Sequence, residues 1–109
     1  MIHVTFFKDS SNQFVGFEFA GHAGADEFGK DIVCAAVSVL VINTVNSIEE
    51  FTDDDFTCDT DEKSGIIRFH LNGELSKESI LLMNSLCLGI QGVLDDDNEK
   101  YITLKFKEV

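Results

Sequence analysis

The chain has no proline and no tryptophan, and only three cysteines and eight Lys plus Arg in 109 residues. Without proline or a Gly/Ser-rich tract there is no linker to separate two domains. Three cysteines, an odd number with no Cys-x-x-Cys pair, exclude a disulfide framework and point to a reducing, cytoplasmic setting without a secretory leader. The shortage of basic residues against 20 Asp plus Glu leaves a net charge of −12. That is the wrong sign for a protein that binds by neutralising phosphates, so direct nucleic-acid binding is not expected. The apolar runs carry Asn43 or Ser85 before they reach spanning length, and no bilayer crossing is expected.

What is present fits one compact domain over residues 1–109, 44% apolar and 26% charged. A chain of this size buries roughly two-thirds of the surface its unfolded form exposes, and needs no structural metal to fold. Ile2, Val4 and Phe6 alternate with polar or mixed neighbours, as do Val15, Phe17 and Phe19 after the turn-forming Asp9-Ser10-Ser11-Asn12; both runs read as strands of a hairpin. From Asp31 to about Phe51 the apolar residues wrap nearly all round, which predicts a helix buried on most sides. Two strands, Phe56 to Asp59 and Ile66 to Leu71, follow around a Glu62-Lys63-Ser64-Gly65 turn. Ser76 then caps a second helix with Glu78 in its first turn, and Asp95-Asp96-Asp97 ends it by opposing the helix dipole. Ile102, Leu104 and Phe106 alternate in a last strand. The order is ββαββαβ, an α+β fold with two helices layered on a mixed β-sheet.

The acidic residues are clustered at Asp53, Asp54, Asp55, Asp59, Asp61 and Glu62 and again at Asp95, Asp96, Asp97 and Glu99. They read as solvated loops, or as a field that steers a basic partner. Asp59-Thr60-Asp61 lacks the Gly and the terminal Glu of a calcium loop. Cys34, Cys58, Cys87 and His22 have no finger-type spacing for zinc. No metal and no cofactor is implied.

One stretch differs from ordinary core: Gly21-His22-Ala23-Gly24-Ala25-Asp26-Glu27-Phe28-Gly29-Lys30-Asp31-Ile32-Val33-Cys34. It joins a titratable base at a strand end, a loop bracketed by glycines and a thiol just inside a helix. With Asp31 as N-cap, Cys34 takes the third helical position, where free amides and the positive end of the dipole favour thiolate. His22 then serves as its base and as acid for a leaving amine if the loop folds back. A Cys on an apolar helix and a His at a strand end are also ordinary structural residues, and residue types alone do not decide between the two. Ser38, one turn beyond Cys34, either bonds into the site or back to a helix carbonyl. Cys58 and Cys87 read as small buried hydrophobes, and His3 and His70 as strand histidines without a role.

These residues resemble the bacterial ribosomal-processing cysteine protease family, Prp. The match is Gly21-His22-Ala23, a glycine-containing loop, then Gly29-Lys30-Asp31-Ile32-Val33-Cys34-Ala35-Ala36-Val37-Ser38. The resemblance implies a thiol endopeptidase that removes the N-terminal extension of a large-subunit ribosomal protein, cutting after an aromatic pair and before a small residue. It implies Cys34 as nucleophile and His22 as base, places Asp31 and Ser38 near the site, and makes Ala23 to Lys30 a mobile flap with Gly24 and Gly29 as hinges. It also implies a homodimer. A basic ribosomal precursor suits a chain at −12. Two other functions remain open on the residues alone: a non-catalytic acidic assembly module that binds a basic ribosomal protein, and a hydrolase or transferase using the same pair on a small thioester.

Overall fold

The computed structural model describes residues 1–21, 28–61 and 63–109, and of residues 28–31 the backbone alone. The elements are β1 (Ile2–Lys8), β2 (Phe14–Ala20), α1 (Phe28–Phe51), β3 (Asp55–Asp61), β4 (Ile66–Asn72), α2 (Lys77–Asp95) and β5 (Ile102–Glu108). They form a five-stranded sheet in the order β3-β4-β2-β1-β5, with β1 and β5 parallel and every other pair antiparallel. The expected order and the two-layer α+β architecture are what the chain adopts.

The alternation of apolar residues in the strands selects one face. Cross-strand partners share that face, and the register pairs Ile2 with Ile102, Phe6 with Phe17, Val4 with Phe19 and Phe17 with Phe69. All of them are buried in one core cluster with Val33, Val37, Val41 and Ile48 of α1 and Met83, Leu86 and Ile90 of α2. Phe17 and Phe69 stack with ring centroids 5.1 Å apart, adding a specific aromatic contact to the burial. The opposite face is polar, carrying the Arg68–Glu18 ion pair at 3.0 Å and a His3–Thr103 hydrogen bond at 2.8 Å; His3 and His70 are exposed on it.

Local chemistry sets the turns and caps. The Asp9 carboxylate accepts the Ser11 and Gln13 amides at 2.9 and 3.0 Å, closing the β1–β2 connection as an Asx-type turn. The Ser76 hydroxyl accepts the Ser79 amide at 3.1 Å, the N-cap expected from sequence. Helix α2 ends at Asp95 as expected. The two helices approach closely because α2 carries Gly89, where a Cβ would come within 3.2 Å of Leu40 Cδ1.

Several sequence expectations are corrected. Helix α1 begins at Phe28, so Asp31 is not its N-cap. Aspartate suits both a cap and a first turn, which is why residue type alone misplaced the boundary. The helix is also not buried on most sides: Ile32, Val39 and Ile42 are 54, 67 and 53% exposed, since one sheet and one neighbouring helix cover only part of its circumference. Nor does Asn43 interrupt its hydropathy. Ile32–Phe51 is long and apolar enough to cross a membrane by length and composition, with a third of the window buried, while Val33, Val37, Val41 and Ile48 pack into the core of the domain. The first acidic cluster is not a loop from Asp55 onward, because Asp55–Asp61 is strand β3.

Candidate active site

Cys34 is the seventh residue of α1, not the third, and its amide falls within the intrahelical hydrogen-bond pattern; the free amides at the start of this helix belong to residues 28–30. Cys34 is 4% exposed. It borders an open pocket of about 530 Å³ whose other walls are Ser38 and Ile42 of α1, Phe19 and Gly21 at the end of β2, Thr60 and Asp61 of β3, and Gly65, Ile66 and Ile67 at the start of β4. Helix α1 supplies Cys34, Ser38 and Ile42 at spacings of four residues, which place them along one helical stripe. The sheet supplies the opposite wall where β2, β3 and β4 end together.

Gly21 brings the chain to that wall. A Cβ there would lie 3.0 Å from Ile2 Cα, closer than a side chain normally packs, so the exit from β2 depends on the absence of one. His22 and Gly24 lie outside the described residues. Gly29 and Asp31 fall in the first turns of α1, and the expected loop through Lys30 gives way to helix from Phe28.

Ser38 is half-buried. Among the described residues its hydroxyl makes no bond back to a helix carbonyl, unlike Thr44 to Leu40 at 2.8 Å and Thr52 to Ile48 at 2.7 Å. Ser38 lines the pocket. Asp61, read from sequence as part of a solvated loop, lines the same pocket. Its carboxyl is held below the usual range by the Ser64 hydroxyl first and then by the Lys63 amide, which donates at 3.0 Å.

The other thiols separate in kind. Cys58 is exposed, contrary to expectation. Read from sequence as a small buried hydrophobe, it does lie on the core face, opposite Phe69; but β3 is an edge strand, and α1 leaves it uncovered. Desolvation by its immediate neighbours and then the Asp59 carboxylate raise its thiol pKa. Cys87, half-buried against the core, is raised mainly by desolvation. Among the described residues no three His, Cys, Asp or Glu side chains gather to hold a metal ion.

A family profile described as cysteine protease Prp matches residues 1–103. The chain belongs to the Prp family of cysteine proteases. Membership makes it an enzyme and sets aside the reading as a non-catalytic module. The ribosomal processing cysteine protease Prp of Bacillus subtilis is 28% identical over 109 residues, covering 94% of this chain and 97% of that one. The solved structure of the essential ribosomal processing protease Prp of S. aureus, in complex with a covalently linked product peptide, is similar to this chain with a TM-score of 0.86 and 26% identity, covering 98% of this chain and 100% of that one. A solved Streptococcus mutans structure is similar with a TM-score of 0.84 and 31% identity, covering 100% and 96%. Sequence reasoning missed Ile42, Thr60, Asp61 and the Gly65–Ile67 segment among the Prp pocket residues. Only Ile42 left a signal, its position two turns beyond Cys34.

Proposed function

We propose that this Prp-family protease removes the N-terminal extension of a large-subunit ribosomal protein precursor, with Cys34 as nucleophile and His22 as general base and acid. The observation that supports the reading is that Gly21 and Cys34 border one pocket. The relatives' names as ribosomal processing proteases supply the substrate class. The −12 charge suits a basic precursor. Cleavage after an aromatic pair and before a small residue completes the reading.

In this mechanism His22 takes the proton of Cys34 as the sulfur attacks the scissile carbonyl carbon and the C–S bond forms. The proton passes to the leaving amine as the C–N bond breaks, which leaves a thioester on Cys34. Water, deprotonated by His22, then attacks the thioester; the product acid leaves and the thiol is restored. The tetrahedral oxyanions need donors, and the free amides of residues 28–30 are the available set. Ser38 and Asp31 support the site, and Gly24 and Gly29 are the hinges of the flap.

The protease works in the cytoplasm as a homodimer. Ile32, Ala35 and Val39 of α1 and Gly92 of α2 line an apolar groove of about 720 Å³ between the helices, and Val39 is exposed in the single chain, an apolar surface of the kind that associates. Incubation with the extended precursor tests the reading: two products whose masses sum to the precursor plus one water support it, and an intact precursor contradicts it.

A further inference from the structure

The pocket at Cys34 does not end with Ile42. A second hollow of about 160 Å³, lined by Val41, Ile42, Val45, Asn46, Cys58, Thr60 and Ile67, shares Ile42, Thr60 and Ile67 with the first. The two form one trough between α1 and the β3–β4 hairpin, with Cys34 at one end and Asn46 and Cys58 at the other.

The cause is a mismatch of layers. Five strands lie beneath two helices, and the outermost strand, β3, has only β4 beside it. Its core-facing Cys58 and Thr60 are therefore exposed, although Phe69, the strand partner of Cys58, is buried. Ile42 is exposed on the helical wall. An apolar strip of sheet and helix thus stays open to solvent, rimmed by Ser38, Asn46, Thr60 and Asp61, and continuous with the pocket of the proposed nucleophile.

We infer that this trough holds an extended stretch of the substrate polypeptide on one side of the scissile bond, with apolar side chains directed between Ile42, Val45 and Ile67. The inference rests on Cys34 being the nucleophile. Its reach follows from the helix: Cys34 to Asn46 spans about 18 Å at 1.5 Å per residue, room for about five extended residues at 3.3 Å each. Cys58 faces the α1 segment from Val41 to Asn46, about four substrate residues from the reacting carbonyl. Among the described residues the trough leaves Cys34 in one direction, so it reads one side of the scissile bond. Asp61 on the rim and the net charge of −12 favour a precursor that is basic around an apolar core segment.

Cys58 is itself the probe. Precursors carrying a single cysteine at each of the eight positions before and after the scissile bond, activated as the thionitrobenzoate mixed disulfide, are added to Cys34→Ala protein. Attack by the Cys58 thiolate forms the protein–precursor disulfide and releases thionitrobenzoate, and peptide masses locate the bond. Capture that peaks three to six residues from the bond on one side, at least tenfold above the other side, is the expected result. No capture at Cys58, uniform capture, or capture peaking on both sides overturns the trough as the substrate path. Cys58→Trp, which fills its far end, raises KM for the precursor about tenfold or more, while alkylation of Cys34 by iodoacetamide keeps its rate. An unchanged KM also overturns it. Failure of the nucleophile assignment would show separately, as precursor cleavage that survives in Cys34→Ala protein.

Discussion

The Asp54 carboxylate accepts both the backbone amide and the hydroxyl of Ser76, at 2.9 and 2.7 Å. It thereby ties the entry of β3 to the N-cap of α2. Its pKa is lowered by the nearby Ser79 hydroxyl first, then by the Ser76 amide and hydroxyl. The buried Ser79 hydroxyl has no partner in strict hydrogen-bond geometry, so it acts on Asp54 as a close dipole, and the two Ser76 bonds are the ones with defined geometry. Because folding depresses this pKa, the contribution to stability is complete above the unfolded value and is lost as pH falls through the folded one. Asp54→Ala should cost about 1 kcal/mol, the scale of one cap with its hydrogen bonds, read as a lower denaturant midpoint at pH 7. The difference from the unaltered protein should shrink as the acid range below pH 4 is entered.

Gly21 predicts a loss of activity without loss of fold. A methyl group there meets Ile2 Cα at 3.0 Å and displaces the chain just before His22. Gly21→Ala should lower kcat on the precursor by about 10- to 100-fold, the effect of misplacing a reacting group by about 1 Å, with the far-ultraviolet circular dichroism unchanged. Normal turnover would mean that His22 is not held through Gly21.

The three thiols should respond differently to pH. Cys58 is exposed but raised, and Cys87 is half-buried and raised, so alkylation of both should fall about tenfold per pH unit between pH 8 and 6 as their thiolate fractions fall. Cys58 should be the faster of the two throughout. Under the proposed pairing with His22, Cys34 should keep most of its rate over the same range. Parallel slopes for all three in mass-mapped labelling would deny Cys34 any activating partner.

Steering by charge is tested with salt. Raising ionic strength from about 0.05 to 0.5 M shortens the Debye length from about 14 to 4 Å. That should lower kcat/KM on the full-length basic precursor and leave a short neutral peptide across the cleavage site nearly unaffected. Equal losses for both substrates would reduce the acidic surface to a solubility role.

The parts of this fold written in local periodicity were legible. Ile2, Val4 and Phe6 alternate because one face of β1 is buried, and Ser76 followed by Glu78 announced the start of α2. The boundary of α1 was not, since Asp31 is as favourable in a first turn as at a cap. Cys58 shows the limit of alternation, which assigns a face but does not say whether a helix covers it; at an edge strand none does. The site followed the same division. Cys34, Ser38 and Ile42 lie on one stripe that sequence spacing can give, whereas Asp61 and Ile66–Ile67 join the pocket because β4 pairs with β2 and so sets the β3–β4 hairpin opposite α1, a relation between distant segments that no local pattern records.

The central claim is that Cys34 performs the cleavage with His22. Its most direct measurement is turnover of the extended precursor by purified Cys34→Ala protein, followed by product mass beside the unaltered enzyme. The account predicts no products above background, because alanine preserves the helix and removes the sulfur that forms the thioester in the proposed mechanism, with precursor binding retained and His22→Ala slowed by about 100-fold or more. Cleavage by Cys34→Ala protein at a rate near that of the unaltered enzyme would contradict it.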